Sequence, residues 1–178
     1  MDNNVISTLI HQHCPKLSHL FVGCFSCNNF PIIKTHGQFQ IVNTDPVKKT
    51  GQHWILIGSY HDLVDGEMNK GPTVFYFDSL NTHTKEQYDF IDDVPYTCIK
   101  QRLKKFYGNT RTNFDVLRPY DFGVTPQDPE TSTCGLYCIY MAHLIYLDVQ
   151  TNYVTEDDVL QFAHEHFDNK FVKQLLYL

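Results

Sequence analysis

Three short runs in the first half of the chain are apolar, with polar stretches between them: Phe39 to Asn43, Trp54 to Ser59 and Thr73 to Asp78. Short apolar runs bounded by Gly, Pro, Asn or Asp predict strands, and Phe114 to Arg118 reads as another. Helical spacing governs other stretches. Asn4 to His13 is a short amphipathic helix, and Thr84 to Ile91 and Val94 to Tyr107 read as two helices separated by the break at Pro95. From Gly135 to Leu147 the residues are almost wholly apolar, which predicts a helix buried on most sides and too short to span a bilayer. Thr155 to Asp158 forms a capping box with Asp in place of the usual Glu, opening a helix to about Phe167, and Asn169 to Leu178 reads as a last turn or two packed on the body. This order of elements predicts an α+β fold in which helices flank a mixed sheet around one central helix.

Composition narrows the class. The 178 residues show no repeats, low-complexity linker, signal peptide or membrane-length apolar run, so residues 1–178 are expected to form a single domain, acting as a monomer in a reducing interior. Six cysteines do not read as a disulfide framework in a chain of this length. Cys24-x-x-Cys27 is the one metal-like pair, but no second pair follows at finger spacing, and no metal or other cofactor is expected. A formal net charge of −6 argues against strong nonspecific binding to nucleic acid. Lys100, Arg102, Lys104, Lys105 and Arg111 form a local exception, either a basic stripe or an ordinary solvated helix face.

Candidate chemistry begins at Cys134, where the polar segment Gln127-Asp-Pro-Glu-Thr-Ser-Thr gives way to the apolar helix. A thiol in a first helical turn lies among unpaired N–H groups at the positive end of the dipole, conditions that favour the thiolate nucleophile; Thr131 and Thr133 are capping candidates. Cys138, a turn deeper, reads as core. Such a nucleophile needs a base and an orienting acceptor. His53 stands at the mouth of the Trp54 strand and Asp78 at the end of the next, a placement that can bring the carboxylate to the imidazole Nδ1. Asp62, Asp65 and Glu67 fall in a polar hairpin loop and are weaker candidates. Among the other histidines, His143 reads as a satisfied core group on the apolar helix, His36 carries no readable role, and the rest lie in polar or terminal stretches.

The order His53-Trp54, Asp78 after an aromatic strand, then Gln127 seven residues before Cys134-Gly135-Leu136 resembles the adenain family of viral maturation cysteine peptidases. Phe21-Val-Gly23, Phe30-Pro31 and Ile41-Val-Asn43-Thr44 are similar to its N-terminal half. The resemblance covers roughly Phe21 to Ile145. It implies a papain-like fold with Cys134 as nucleophile, His53 as general base and later acid, Asp78 as the acceptor holding the imidazole, and Gln127 donating to the oxyanion beside the backbone N–H of Cys134. Trp54 and Gly135 would line the substrate cleft. It further implies cleavage of capsid or core precursors at Gly-Gly or Gly-X bonds, in the virion and the infected host cell. Adenoviral members carry a cysteine for a disulfide-linked activator eighteen residues before the nucleophile; Val116 stands there, leaving a noncovalent activating peptide or DNA as the form an activator would take. Two other functions stay open: a Ulp-type deconjugase for a ubiquitin-like protein, and a non-catalytic protein- or nucleic-acid-binding module on the same fold.

Overall fold

The computed structural model describes residues 3–46, 53–60, 73–81, 91–108, 113–147 and 154–167. The C-terminal turns expected over 169–178, the loop acids Asp62, Asp65 and Glu67, and Arg111 lie outside them, as does the helix expected over Thr84 to Ile91 apart from Ile91 itself, which starts a 3-10 turn.

Five strands form one sheet in chain order: β1 (Phe21–Ser26), β2 (Phe39–Asn43), β3 (Trp54–Tyr60), β4 (Thr73–Phe77) and β5 (Phe114–Leu117). The two inner pairings, β2 with β3 and β3 with β4, are antiparallel, whereas the outer strands β1 and β5 run parallel to their neighbours. β1 was not among the expected strands: Gly23 splits its apolar residues into the pairs Phe21-Val22 and Cys24-Phe25, and a register shift there interrupts the pairing. The helices are α1 (Asn3–His13), α2 (Pro15–Ser18), α3 (Thr97–Tyr107), α4 (Cys134–Leu147) and α5 (Glu156–His166). α3 starts later than expected because Pro95 has no N–H for a helical bond and biases Val94 toward extended backbone. Val94, Pro95 and Tyr96 therefore lie ahead of the helix, with Tyr96 as its extended N-cap residue. α5 opens as expected, Thr155 Oγ1 accepting from the Asp158 N–H and the Asp158 carboxylate accepting from the Thr155 N–H at 2.7 Å.

The sheet divides two apolar clusters. Trp54, Leu56, Phe75 and Phe77 face α1, α2, α4 and α5, while Ile55, Ile57, Val74 and Tyr76 face α3 with Cys27, Phe30 and Val116. Because both faces are covered, β2, β3 and β4 read as nearly unbroken apolar runs rather than alternating ones. α4 is buried along most of its length, as its composition requires, and packs chiefly on β3. Its far end is fastened to the sheet by Tyr146, whose hydroxyl donates toward Gln38 O at 2.9 Å and accepts from the Ser59 N–H at 3.2 Å. Gly58 makes room for this: a Cβ there would collide with the Phe75 ring and the Tyr146 hydroxyl.

The lone CxxC pair is split. Cys24 lies on β1, half-buried, whereas Cys27 is fully buried with its thiol hydrogen-bonded to that of Cys98, and burial together with Cys98 pushes its pKa up to about 12. No group of three metal-capable side chains occurs among the described residues. Two of the five residues in the basic stripe are tied down: Arg102 donates to Asn28 O and Phe30 O while stacking on Phe30 and Phe106, and Lys104 pairs with Asp92. His143 is not the satisfied core group expected. It is half-buried against Phe162, and its Nδ1 is buried without a hydrogen-bond partner; burial, with His166 and Lys16 nearby, lowers its pKa.

Gly58→Ala is expected to destabilise the fold by about 1 to 3 kcal/mol, the usual cost of overpacking a close interior contact. Urea unfolding checks this, and an unchanged midpoint would mean that β3 and α4 can move apart freely.

Candidate active site

Antiparallel register brings the first two candidate residues together. Leu56 on β3 pairs with Phe77 on β4, so His53, just before β3, and Asp78, just after β4, emerge at the same end of neighbouring strands. His53 Nε2 meets Asp78 Oδ1 at 2.7 Å, with the two residues only 6% and 3% exposed. The carboxylate is thus on Nε2 rather than the expected Nδ1. His53 lies outside the strand, where its ring reaches the neighbouring strand's end by its tip, and the other ring nitrogen is left for Cys134, with which His53 also hydrogen-bonds.

Asp78 is surrounded by donors. Besides His53, Oδ1 accepts from the Leu80 N–H at 3.0 Å, Oδ2 accepts from the Tyr76 hydroxyl at 3.0 Å, and Tyr96 is a further side-chain partner. Burial alone would raise the carboxyl pKa, but the hydrogen bond and charge of His53 with the Leu80 and Tyr76 donors outweigh it, and the group is held below the usual carboxylate range. Burial likewise works against a charged His53. The hydrogen bonds and charges of Asp78 and Cys134 overcome it and bring the imidazole up to about 9.

Cys134 is the first residue of α4 and is 6% exposed. Cys138, one turn on, is fully buried, and burial with the nearby charges of Cys134 and Asp78 pushes its thiol pKa well up, so it is core as expected. Gln127 joins the site through Ser79, the residue after Asp78. The Gln127 N–H donates to Ser79 O at 2.9 Å and the Ser79 hydroxyl to Gln127 Oε1 at 2.7 Å. With its oxygen so committed, the amide must turn its NH2 away from Ser79; Nε2 donates to Thr131 O at 2.9 Å and also lies 3.3 Å from the Thr131 hydroxyl. Trp54 is 4% exposed and belongs to the same apolar cluster as Cys134. Gly135 follows Cys134 in the first helical turn and is buried.

Several contributors were not legible. Tyr96 rests its ring 6.0 Å from the His53 ring and reaches Asp78, yet in sequence it is one aromatic residue after a proline. Tyr76 reads as an ordinary inward strand residue. Ser79 had a usable signal, since a hydroxyl beside a strand-end carboxylate sits at the same sheet edge. Thr131 and Thr133, expected as caps of α4, direct their hydroxyls to Glu156 Oε1 at 2.8 and 2.6 Å.

A thiol, an imidazole and a carboxylate joined in that order, beside a buried amide N–H and the N-terminus of a helix, can carry out acyl transfer through a thioester. The family model described as the Ulp1 protease family, C-terminal catalytic domain, matches residues 28–175. The chain belongs to that family. It is a cysteine peptidase, a hydrolase, and its sheet and helices are those of the papain-like fold that the Ulp1 and adenain-type enzymes share. No curated protein matches the sequence. The resemblance to the adenain type holds at the level of this wider group, and within the Ulp1-family match the four residues at the centre of the site lie between residues 28 and 175.

The His53–Asp78 pair has a defined pH signature. A raised imidazole pKa stabilises the fold fully below about 6.5 and is lost as pH rises through about 9; a lowered carboxyl pKa stabilises above about 4 and is lost in acid. Asp78→Asn removes one of the two charges that oppose burial and leaves only Cys134 to support the imidazolium, so the His53 pKa is expected to fall below about 9. NMR titration of the imidazole reads this directly, and a value that stays near 9 would show that Asp78 does not hold the proton.

Proposed function

We propose that this peptidase is a maturation endopeptidase that cuts capsid or core precursor polypeptides at Gly-Gly or Gly-X bonds. The observation that carries the glycine preference is burial: Cys134, His53 and Gln127 are 6%, 6% and 5% exposed, with Trp54 packed nearby and Tyr96 against the imidazole. A main chain reaching such a thiol must approach closely, and glycine alone does so without a Cβ. The Gln127-x6-Cys134-Gly135-Leu136 block and its similarity to the adenain type support precursor cleavage as the setting, in a virion and its host cell. In this reading Cys134 attacks the scissile carbonyl while the Gln127 amide and the Cys134 N–H receive the developing oxyanion. His53 gives its proton to the leaving amine, then takes one from the water that hydrolyses the thioester, and Asp78 holds the ring throughout.

The second reading is processing of a ubiquitin-like protein at its C-terminal glycines, favoured by the Ulp1-family match itself. Both substrates present a glycine acyl group to the same site. They differ in what must dock outside it: a short extended peptide in one case, a folded domain in the other.

Under reducing conditions the native chain is expected to cleave short Gly-Gly and Gly-X precursor peptides, and Cys134→Ala to lose turnover entirely while still binding them. Mass spectrometry of the products locates the bond. Efficient cleavage of a ubiquitin-like fusion with no action on the peptides would transfer the assignment to the second reading, and turnover by Cys134→Ala would overturn the nucleophile.

A further inference from the structure

The segment from Gln127 to Thr133 has to set two things at once, the side chain of Gln127 and the backbone entering α4 at Cys134. It carries no regular secondary structure beyond turns. Turn bonds about Asp128 shape it, the Thr131 N–H and hydroxyl reaching Asp128 O at 3.0 and 2.9 Å and the Glu130 N–H reaching Asp128 Oδ1 at 2.9 Å, and one side chain from another element ties its two ends together. Glu156, the first residue of α5, accepts from the Asp128 N–H with Oε2 at 3.1 Å, and from the hydroxyls of Thr131 and Thr133 with Oε1 at 2.8 and 2.6 Å. Asp128 directly follows Gln127, and Thr133 directly precedes Cys134. Thr131, between them, accepts the Gln127 amide through its carbonyl at 2.9 Å and lies 3.3 Å from it through its hydroxyl.

Glu156 is itself well anchored. Val154 bridges Val124 in parallel, its N–H donating to Gly123 O at 2.7 Å, and the Thr125 N–H donates to Val154 O at 2.8 Å. The strand-like pair 123–125 and 154 therefore frames the segment from behind. α5 does not depend on Glu156 to start, because the Thr155–Asp158 box and the first-turn acids Asp157 and Asp158 remain without it.

We propose that Glu156 is a positioning residue for the oxyanion hole: by holding Asp128, Thr131 and Thr133 together, its carboxylate fixes the Gln127 amide relative to the backbone N–H of Cys134. It touches neither substrate nor nucleophile. The inference rests on the reading that Gln127 and the Cys134 N–H receive the oxyanion. Its consequence is selective, because reactions that build a tetrahedral oxyanion need the two donors in register, whereas simple displacement at the thiolate does not.

The test compares the full chain with Glu156→Gln, Thr133→Val and Gln127→Ala by three readouts: peptide turnover, affinity for a peptide aldehyde ending in glycinal, and the rate of Cys134 alkylation by iodoacetamide. The aldehyde adds the thiol across its carbonyl and leaves an oxyanion-like oxygen in the site; iodoacetamide loses iodide and leaves none. Glu156→Gln is expected to lower kcat about tenfold to a hundredfold, the range for a lost charged hydrogen bond, with KM nearly unchanged. Aldehyde affinity should fall in parallel while alkylation keeps its native rate. Thr133→Val, which removes one hydroxyl and keeps the volume, should show the same pattern more weakly, and it serves if the Glu156 variant does not fold. Native turnover and aldehyde affinity in Glu156→Gln would overturn the proposal, as would a loss of alkylation in step with both, which would mark a collapsed site. Unchanged aldehyde affinity in Gln127→Ala would instead overturn the underlying oxyanion reading.

Discussion

A charged imidazole and a charged carboxylate meeting at 2.7 Å, both almost wholly out of solvent, is the constraint around which this fold is arranged. Desolvating two ions costs several kcal/mol each, and their mutual attraction offsets that only when the remaining lone pairs and protons are also matched. The structure matches them. Two tyrosines and a backbone N–H complete the shell of Asp78, and the thiol of Cys134 completes that of His53. Tyr76 comes from the sheet and Tyr96 from the segment ahead of α3, so the layer on the side of the sheet away from α4 serves the catalytic pair as directly as α4 does.

The other half of the site is held by lighter means. Ser79 ties Gln127 to the end of β4 through both backbone and side chain, so the residue after the acceptor aspartate is the hinge between the two halves. From there to Cys134 the chain is shaped by turn bonds about Asp128 and by the Glu156 carboxylate rather than by a ladder of backbone bonds. The division would suit the proposed mechanism, in which the imidazole keeps one orientation through two proton transfers while the oxyanion donors meet a charge that develops briefly.

Most of the fold was legible because its elements announce themselves. β2, β3, β4, β5 and α4 are short apolar runs with clear boundaries, and α5 carries its cap in Thr155 and Asp158. β1 was hidden by the irregularity at Gly23, and the start of α3 was misjudged because the apolar pattern continues across Pro95. At the site, residue type and order were enough to single out Cys134, His53, Asp78 and Gln127 as candidates, and the structure brings His53 onto Asp78 and ties Gln127 to the neighbouring Ser79. What sequence could not supply was orientation. Which imidazole nitrogen faces Asp78 depends on His53 standing outside the strand, and the roles of Tyr96 and Glu156 depend on contacts between elements far apart in the chain. The expected satisfied state of His143 failed for the same reason: its surroundings are made by α5, which a reading of α4 alone cannot see.

α4 is about 20 Å long, with the thiol at one end and Tyr146 bolted to Gln38 and Ser59 near the other. Cys134 is therefore carried on an internal strut fixed by the sheet and by the helices packed against it. Such a design separates reactivity from recognition. Surface segments can be replaced or lengthened to suit a different polypeptide while the strut and the pair at the sheet's end stay in place, so a change of substrate need not disturb either.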